Sequence, residues 1–391
     1  MSNEHTSLVY CKKCFSTNLR PNASFLDSGV CIACHYHSLR GDKFNVEYDR
    51  RLSLLTQWLA ELKRRRGRKR IHKVYDCVVG VSGGKDSTRQ AEWVKKHLRM
   101  NPLLVCGAYP PLQSTHIGAE NLSNLISKGY DIEVHTPSPK SAAQLSLDSL
   151  KEFGNVSKAA EMALFSIVPR IALSKRIPLI FWGENPATQL GDSSVLGENE
   201  LDGNQLRQLN TLKEGGMGWI QDSVGPNRTE FYRYPSFDST NSAVDIVYLG
   251  PVWGDWTNYF NSGYAALNGL QLRPFDSKET GDLSGASMLD EDFTNINQMI
   301  KYYKFGFGRA TEFVNQNIRN GTISREKGAQ MVVDFDGVCS DEIIDSYCNY
   351  VAISVKEFWS LTNRFVNRKI FAVKPHSRPK PLFEPGVDYK W

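Results

Sequence analysis

The stretch VVGVSGGKDSTRQ, Val78 to Gln90, sets a serine, two glycines, a lysine and an aspartate where an apolar run gives way to a polar, helix-forming one. That order suits an anion site. Glycines accept unusual backbone angles and let amide groups approach a phosphate closely, and the positive end of the following helix adds to the attraction. It is not a Walker loop, which needs a hydroxyl residue after its lysine: here Asp86 follows Lys85, and Val79 stands where the first glycine would be. A second constellation is CKKC…CIAC, with Cys11 and Cys14 followed after sixteen residues by Cys31 and Cys34. Two such knuckles supply four thiolates, enough to close a tetrahedron round zinc with no open position, so the site reads as structural. Gly29 suits the tight turn before the second pair, and His35 and His37 read as exposed polar residues beside it.

The elements that must hold these groups follow from periodicity. Apolar segments at 75–81, 103–108, 131–136 and 178–182 alternate with helical stretches near 86–99, 115–128 and 158–176, and a further strand lies at 244–250. Such alternation predicts an α/β fold with a doubly wound parallel sheet, whose ligands bind at the carboxyl ends of the strands beside a topological switch point. The 82–87 turn and the loop from Gly183 would both lie there. Leu52, Leu55, Leu59 and Leu62 predict a helix over 47–66. The last hundred residues read as helical, with Ser354 and Glu357 in capping-box relation. The segment 188–243 is rich in Gly, Asn, Ser and Asp and reads as a substrate loop or an ordered insertion. The expected organisation is a zinc-binding module at 1–45, a helix and basic linker at 46–73, an α/β domain at 74–252 interrupted near 188–243, and a substrate-selecting, helical region at 253–391.

The 391 residues carry a net charge of +5, but the basicity is local. Residues 50–73 hold ten Lys/Arg and one acid, leaving 37 bases against 41 acids elsewhere. That run reads as a solvated linker rather than part of a nucleic-acid surface. No apolar run reaches membrane-spanning length and MSNEHTSLVY is polar, so the expectation is a cytoplasmic protein without membrane insertion. Of eight cysteines, four are paired as knuckles and four stand singly, which favours a metal site over disulfides.

The S-G-G-K-D-S turn resembles the pyrophosphatase loop of ATP enzymes that adenylate a substrate and release pyrophosphate. The resemblance implies an adenine nucleotide alpha hydrolase-like sheet, with Ser82, Gly83, Gly84 and Ser87 holding the pyrophosphate part of ATP. Lys85 would neutralise charge and Asp86 would place magnesium. Together with the knuckles, WGENPA (Trp182–Ala187), KFGFGRATE (Lys304–Glu312) and ISVKEFWSLTNRFVNRKIF, the loop resembles the N-acetyl sugar amidotransferase family. That resemblance implies conversion of an acetamido group of a bacterial sugar, carried on a nucleotide, to an acetamidino group for O-antigen or flagellar glycans. An adenylated amide is the implied intermediate, ammonia the nucleophile, and ATP, Mg2+ and Zn2+ the cofactors.

A glutaminase needs an activated cysteine, and none of the single cysteines has the setting for one, so a separate glutaminase subunit is the expected partner. At the carboxyl end of a strand, Gly183, Glu184 and Asn185 are placed to touch adenine, ribose or sugar. Lys304 and Arg309 flank Gly306 and Gly308 and could stabilise phosphate charge as preorganised cations. Asp290 and Asp292 read as an acidic helix start, and Trp253 and Trp256 as a core aromatic pair. The rival expectation is a tRNA-thiolating enzyme, since those pair knuckles with a similar loop and would use the basic run on the RNA backbone. Against it, no C-x-x-C follows Cys34.

Overall fold

A computed structural model describes residues 7–40, 44–66, 74–183, 201–206, 217–235, 244–253, 256–274 and 277–390. Glu184 and Asn185, most of the 188–243 segment and the basic residues 67–73 lie outside this set. Five strands, β1 (Cys77–Val81), β2 (Pro102–Gly107), β3 (Ile132–His135), β4 (Leu179–Trp182) and β5 (Asp245–Tyr248), form one sheet in the order β3-β2-β1-β4-β5. Every pairing is parallel, with Val79 opposite both Leu104 and Phe181. The order reverses between β1 and β4, so the switch point expected from the sequence is present, with Ser82 and Gly183 at its carboxyl edge.

Because side chains alternate across a strand, β1 feeds two cores. Cys77, Val79 and Val81 pack with Leu55 and Leu62 of α1 (Phe44–Arg66) and with Ala91 and Val94 of α2 (Lys85–Lys96). Val78 faces the other side, against Ala163, Ile167 and Val168 of α5 (Lys158–Lys175). Both faces are covered at the inner strands β1, β2 and β4, and that is why these read as unbroken apolar runs. The leucine stripe of α1 closes the sheet, and α3 (His116–Ser127) supplies the crossover from β2 to β3. The crossover from β3 to β4 contains one more helix than the periodicity predicts, α4 (Pro139–Phe153), which starts on a proline and ends at Gly154 in the left-handed region.

The helical C-terminal region has its own core, built on Phe293, Tyr347, Phe358 and Phe371. Leu8, Tyr10, Phe15 and Leu19 belong to that same core. Ser7–Leu8 pairs antiparallel with Tyr389–Lys390, and the Tyr10 amide donates to Asp388 Oδ1 at 2.7 Å. The cysteine module is therefore packed into the C-terminal region instead of standing apart. Among the described residues no helix is long and apolar enough to cross a membrane.

Candidate active site

Gly83, at φ +79°, turns the chain after β1, and a Cβ there would press on the Gly118 carbonyl and Asn121 at 3.1 Å. Glycine is required by both angle and space. Gly84 then serves as the N-cap of α2 with no side chain capping the first turn, which leaves helix-end amides facing the carboxyl edge of the sheet. The Ser87 and Thr88 hydroxyls turn back to the Gly84 carbonyl at 3.2 and 2.9 Å and fix the turn. Lys85 is only 7% exposed, and its Nζ donates to Asp86 Oδ2 at 2.8 Å. The other Asp86 oxygen accepts from Asn261 Nδ2 at 2.5 Å.

Asp86 opens into a cavity of about 450 Å³, within the range of small-molecule sites. Its walls come from elements far apart in sequence. Glu161 projects from the first turn of α5, and Asn258 and Asn261 from α6 (Asn258–Leu267). Arg309, Glu312 and Arg319 come from α8 (Arg309–Arg319), and Ser16, Thr17 and Arg20 from the cysteine module. Burial opposes ionisation of Glu312, but Lys301 at 2.9 Å and Arg309 at 3.8 Å overcome it and hold the carboxyl below its ordinary value. The backbone before Arg309 is fixed by Asp336, which accepts from the Gly308 amide at 2.9 Å and the Thr311 amide at 3.0 Å.

The structure thus brings Arg309 and Asp86 to one cavity and does not bring Lys304 there. Lys304 Nζ donates to the Phe153 carbonyl at 2.7 Å, at the end of α4, and burial lowers its pKa. A cation there caps a helix C-terminus. Lys304→Met should cost about 1–3 kcal/mol of stability by stranding those carbonyls, measured by thermal unfolding, with AMP release per folded molecule unchanged. Gly183 lies where expected, its carbonyl accepting from the Gly250 amide at 2.7 Å. A Cβ on it would fall 2.2 Å from Gln90 Nε2, so only glycine lets the strand end pack this closely against α2.

Asn261, Glu161, Arg20 and Arg319 carry no signal in the sequence, because nothing local marks them. Asp290 is legible there only as a helix start, yet burial pushes its carboxyl up to about 6 while Arg273 and Lys85 pull it down, so it lies within electrostatic reach of the loop. The cap of α7 (Phe293–Phe305) is instead supplied by Glu291, accepting from the Phe293 and Thr294 amides at 2.7 Å and from Gln113 Nε2 at 3.1 Å. Burial and the neighbouring Asp290 push Glu291 up to about 8. A raised carboxyl favours folding while protonated, so this contribution is full below the unfolded value near 4.5 and is lost as pH rises towards 8. Glu291→Gln should flatten the decline of stability across that window, read from denaturant midpoints at stepped pH.

The four knuckle sulfurs are buried and lie within 4.8 Å of one another. Cys11 Sγ accepts from the Cys31 amide at 3.2 Å and the Lys13 amide at 3.4 Å, and Cys14 Sγ from the Ser16 amide at 3.4 Å. Converging soft donors with amides turned on them can hold a tetrahedral ion such as zinc. The His37 ring pairs with Asn320 at 3.1 Å, outside the sulfur cluster. Asn315 links the module to the cavity, its Oδ1 accepting from the Phe15 amide at 2.6 Å and its Nδ2 donating to Ser16 Oγ at 3.3 Å.

Fold and loop together define an α/β protein with a five-stranded parallel sheet, a glycine-rich anion turn at its switch point, a helical C-terminal region and a four-cysteine cluster. Residues 255–380, roughly a third of the chain, match the family model described as the C-terminal domain of WbpG-like LPS biosynthesis proteins. The match includes Asn261, Arg309, Glu312 and Asp336, and it agrees with the resemblance drawn from the motifs. No curated protein matches the sequence. Among solved structures, the NMN synthetase of Francisella tularensis is similar at 17% identity and a TM-score of 0.27, over 58% of this chain and 87% of that one.

Proposed function

We propose that the chain is an ATP-dependent amidotransferase of lipopolysaccharide sugar biosynthesis, converting an acetamido group to an acetamidino group. The observation that carries this reading is that Asp86, on the anion loop, and Arg309, on the WbpG-like helix α8, line one cavity. In the first step the acetamido oxygen attacks the α-phosphorus of ATP and pyrophosphate leaves, giving an O-adenylated imidate. Ammonia then adds to the imidate carbon, and AMP departs with the former amide oxygen.

The amides of the 82–84 turn and the start of α2 hold the departing phosphates, with the Lys85 ammonium offsetting their charge. Asp86 would hold magnesium, which would supply charge neutralisation of the phosphate oxygens. Arg309, whose Nη1 faces Glu312 at 3.8 Å while its Nε is buried without a partner, is the cation we assign to charge developing at the far wall. Ammonia comes from a separate glutaminase subunit. In support, burial pushes the Cys106 and Cys339 thiols up to about 12 and Cys348 to about 11, and raises Cys77 well above the ordinary thiol value, so none is an activated nucleophile.

The test is release of AMP and pyrophosphate from purified protein with Mg2+, ATP and ammonium, run against a panel of nucleotide-linked diacetamido sugars and, separately, unmodified tRNA. AMP formed only with a sugar, together with a product in which O has become NH, is the expected result. AMP formed only with tRNA would replace this reading by the RNA-modifying one.

A further inference from the structure

Trp253 and Trp256 do not serve as a free platform for a base. They stack on each other at 5.0 Å between centroids, and the Arg89 guanidinium occupies their faces, 5.0 Å from Trp253 and 5.8 Å from Trp256, with Tyr264 at 5.9 Å. Arg89 lies three residues after Asp86 on α2, a spacing at which arginine and aspartate commonly pair directly. Here they do not. Arg89 Nη1 donates to Asn261 Oδ1 at 2.6 Å, and Asn261 Nδ2 donates to Asp86 Oδ1 at 2.5 Å. The amide orientation is fixed by chemistry, because guanidinium only donates and carboxylate only accepts. Asn261 is 1% exposed, so neither bond is exchanged freely with water.

We propose that Arg89 and Asn261 are positioning residues that aim the Asp86 carboxylate at a divalent cation, an inference that rests on the reading of Asp86 as the magnesium-placing group. A direct Arg89–Asp86 ion pair would orient the carboxylate but set a second cation on it beside Lys85. Interposing a neutral amide transmits the orientation without adding a second cation to a carboxylate whose Oδ2 already pairs with Lys85 at 2.8 Å, so a divalent ion has only the lysine ammonium to displace. The aromatic box keeps the arginine charge stabilised at a distance by its ring faces. Such outer partners change metal affinity by about 10–100-fold when removed.

The test uses the full chain, with Mn2+ as the probe. Binding of Mn2+, alone and with α,β-methylene-ATP, is followed by electron paramagnetic resonance, beside the Mg2+ dependence of AMP release and the unfolding midpoint. Asn261→Ala and Arg89→Met should each weaken Mn2+ binding by about 10–100-fold and raise the Mg2+ concentration for half-maximal turnover in parallel. Arg89→Lys, which keeps a donor and a cation over the rings, should recover part of the loss. It also serves as the milder variant if the others fold poorly. Unchanged Mn2+ affinity and Mg2+ requirement in folded Asn261→Ala would overturn the positioning role alone. Wild-type protein that neither binds Mn2+ nor needs Mg2+ for turnover would instead overturn the assignment of Asp86, and this inference with it.

Discussion

Replacing Asp86 by asparagine should lower AMP and pyrophosphate release by about two to three orders of magnitude, the scale on which a single preorganised electrostatic group acts, while the protein stays folded. The substitution keeps the shape of the side chain and removes its charge. In the resting structure Asp86 accepts from Lys85 on one oxygen and Asn261 on the other. An amide has only one acceptor oxygen, so one of those bonds is lost and the other stays. Loss of a carboxylate from the first turn of α2 costs about 0.3–1 kcal/mol through the helix dipole, too little to unfold a chain with three large cores. Turnover and unfolding midpoint measured on the same sample separate the two effects. Equal turnover in the wild type and in a folded Asp86→Asn variant would remove Asp86 from the chemistry.

Why Asp86 can be found in the sequence, and its partners cannot, is a matter of distance along the chain. The anion turn is made by contiguous residues whose backbone does most of the work, so its pattern survives in one dimension. The knuckles are likewise two local turns. Asn261 and Arg89 meet only because α6 lies along α2, and nothing near Asn261 in sequence distinguishes it from a surface asparagine. Lys304 shows the opposite failure: the residue type and flanking glycines fit a phosphate cation, but the acceptor it finds is a helix end 150 residues away. Helix α4 escapes notice because its buried face carries Ser141, Ser146 and Ser149 beside Leu145 and Leu150, which erases the apolar period. Those serines are not wasted inside, Ser146 Oγ donating to the Val156 carbonyl at 2.8 Å. The inner strands β1, β2 and β4 are legible because a sheet covered on both faces leaves no polar residue to interrupt the run, whereas the edge strand β3 carries Glu133 and His135.

Removing zinc from the knuckles should lower stability and turnover together, although no cysteine touches the chemistry. Structural zinc–thiolate sites supply about 10–16 kcal/mol at neutral pH, comparable with the whole stability of a domain, about 5–15 kcal/mol. Without the ion, four buried thiols converge with nothing to bind, and the module loses what holds its two turns together. Ser16, Thr17 and Arg20 then lose their fixed place in the cavity wall, and Asn315 loses the Phe15 amide it accepts from. Protons compete with zinc for the thiolates, so retention should weaken as pH falls. The expected result for chelated protein, or for Cys14→Ser, is a lower unfolding midpoint and at least about a tenfold fall in AMP release, both restored when zinc is returned to the chelated wild type. Metal analysis should give one zinc per chain before chelation. Zinc-free protein with unchanged midpoint and turnover would show that the wall stands on the C-terminal core alone, through the pairing of Ser7–Leu8 with Tyr389–Lys390.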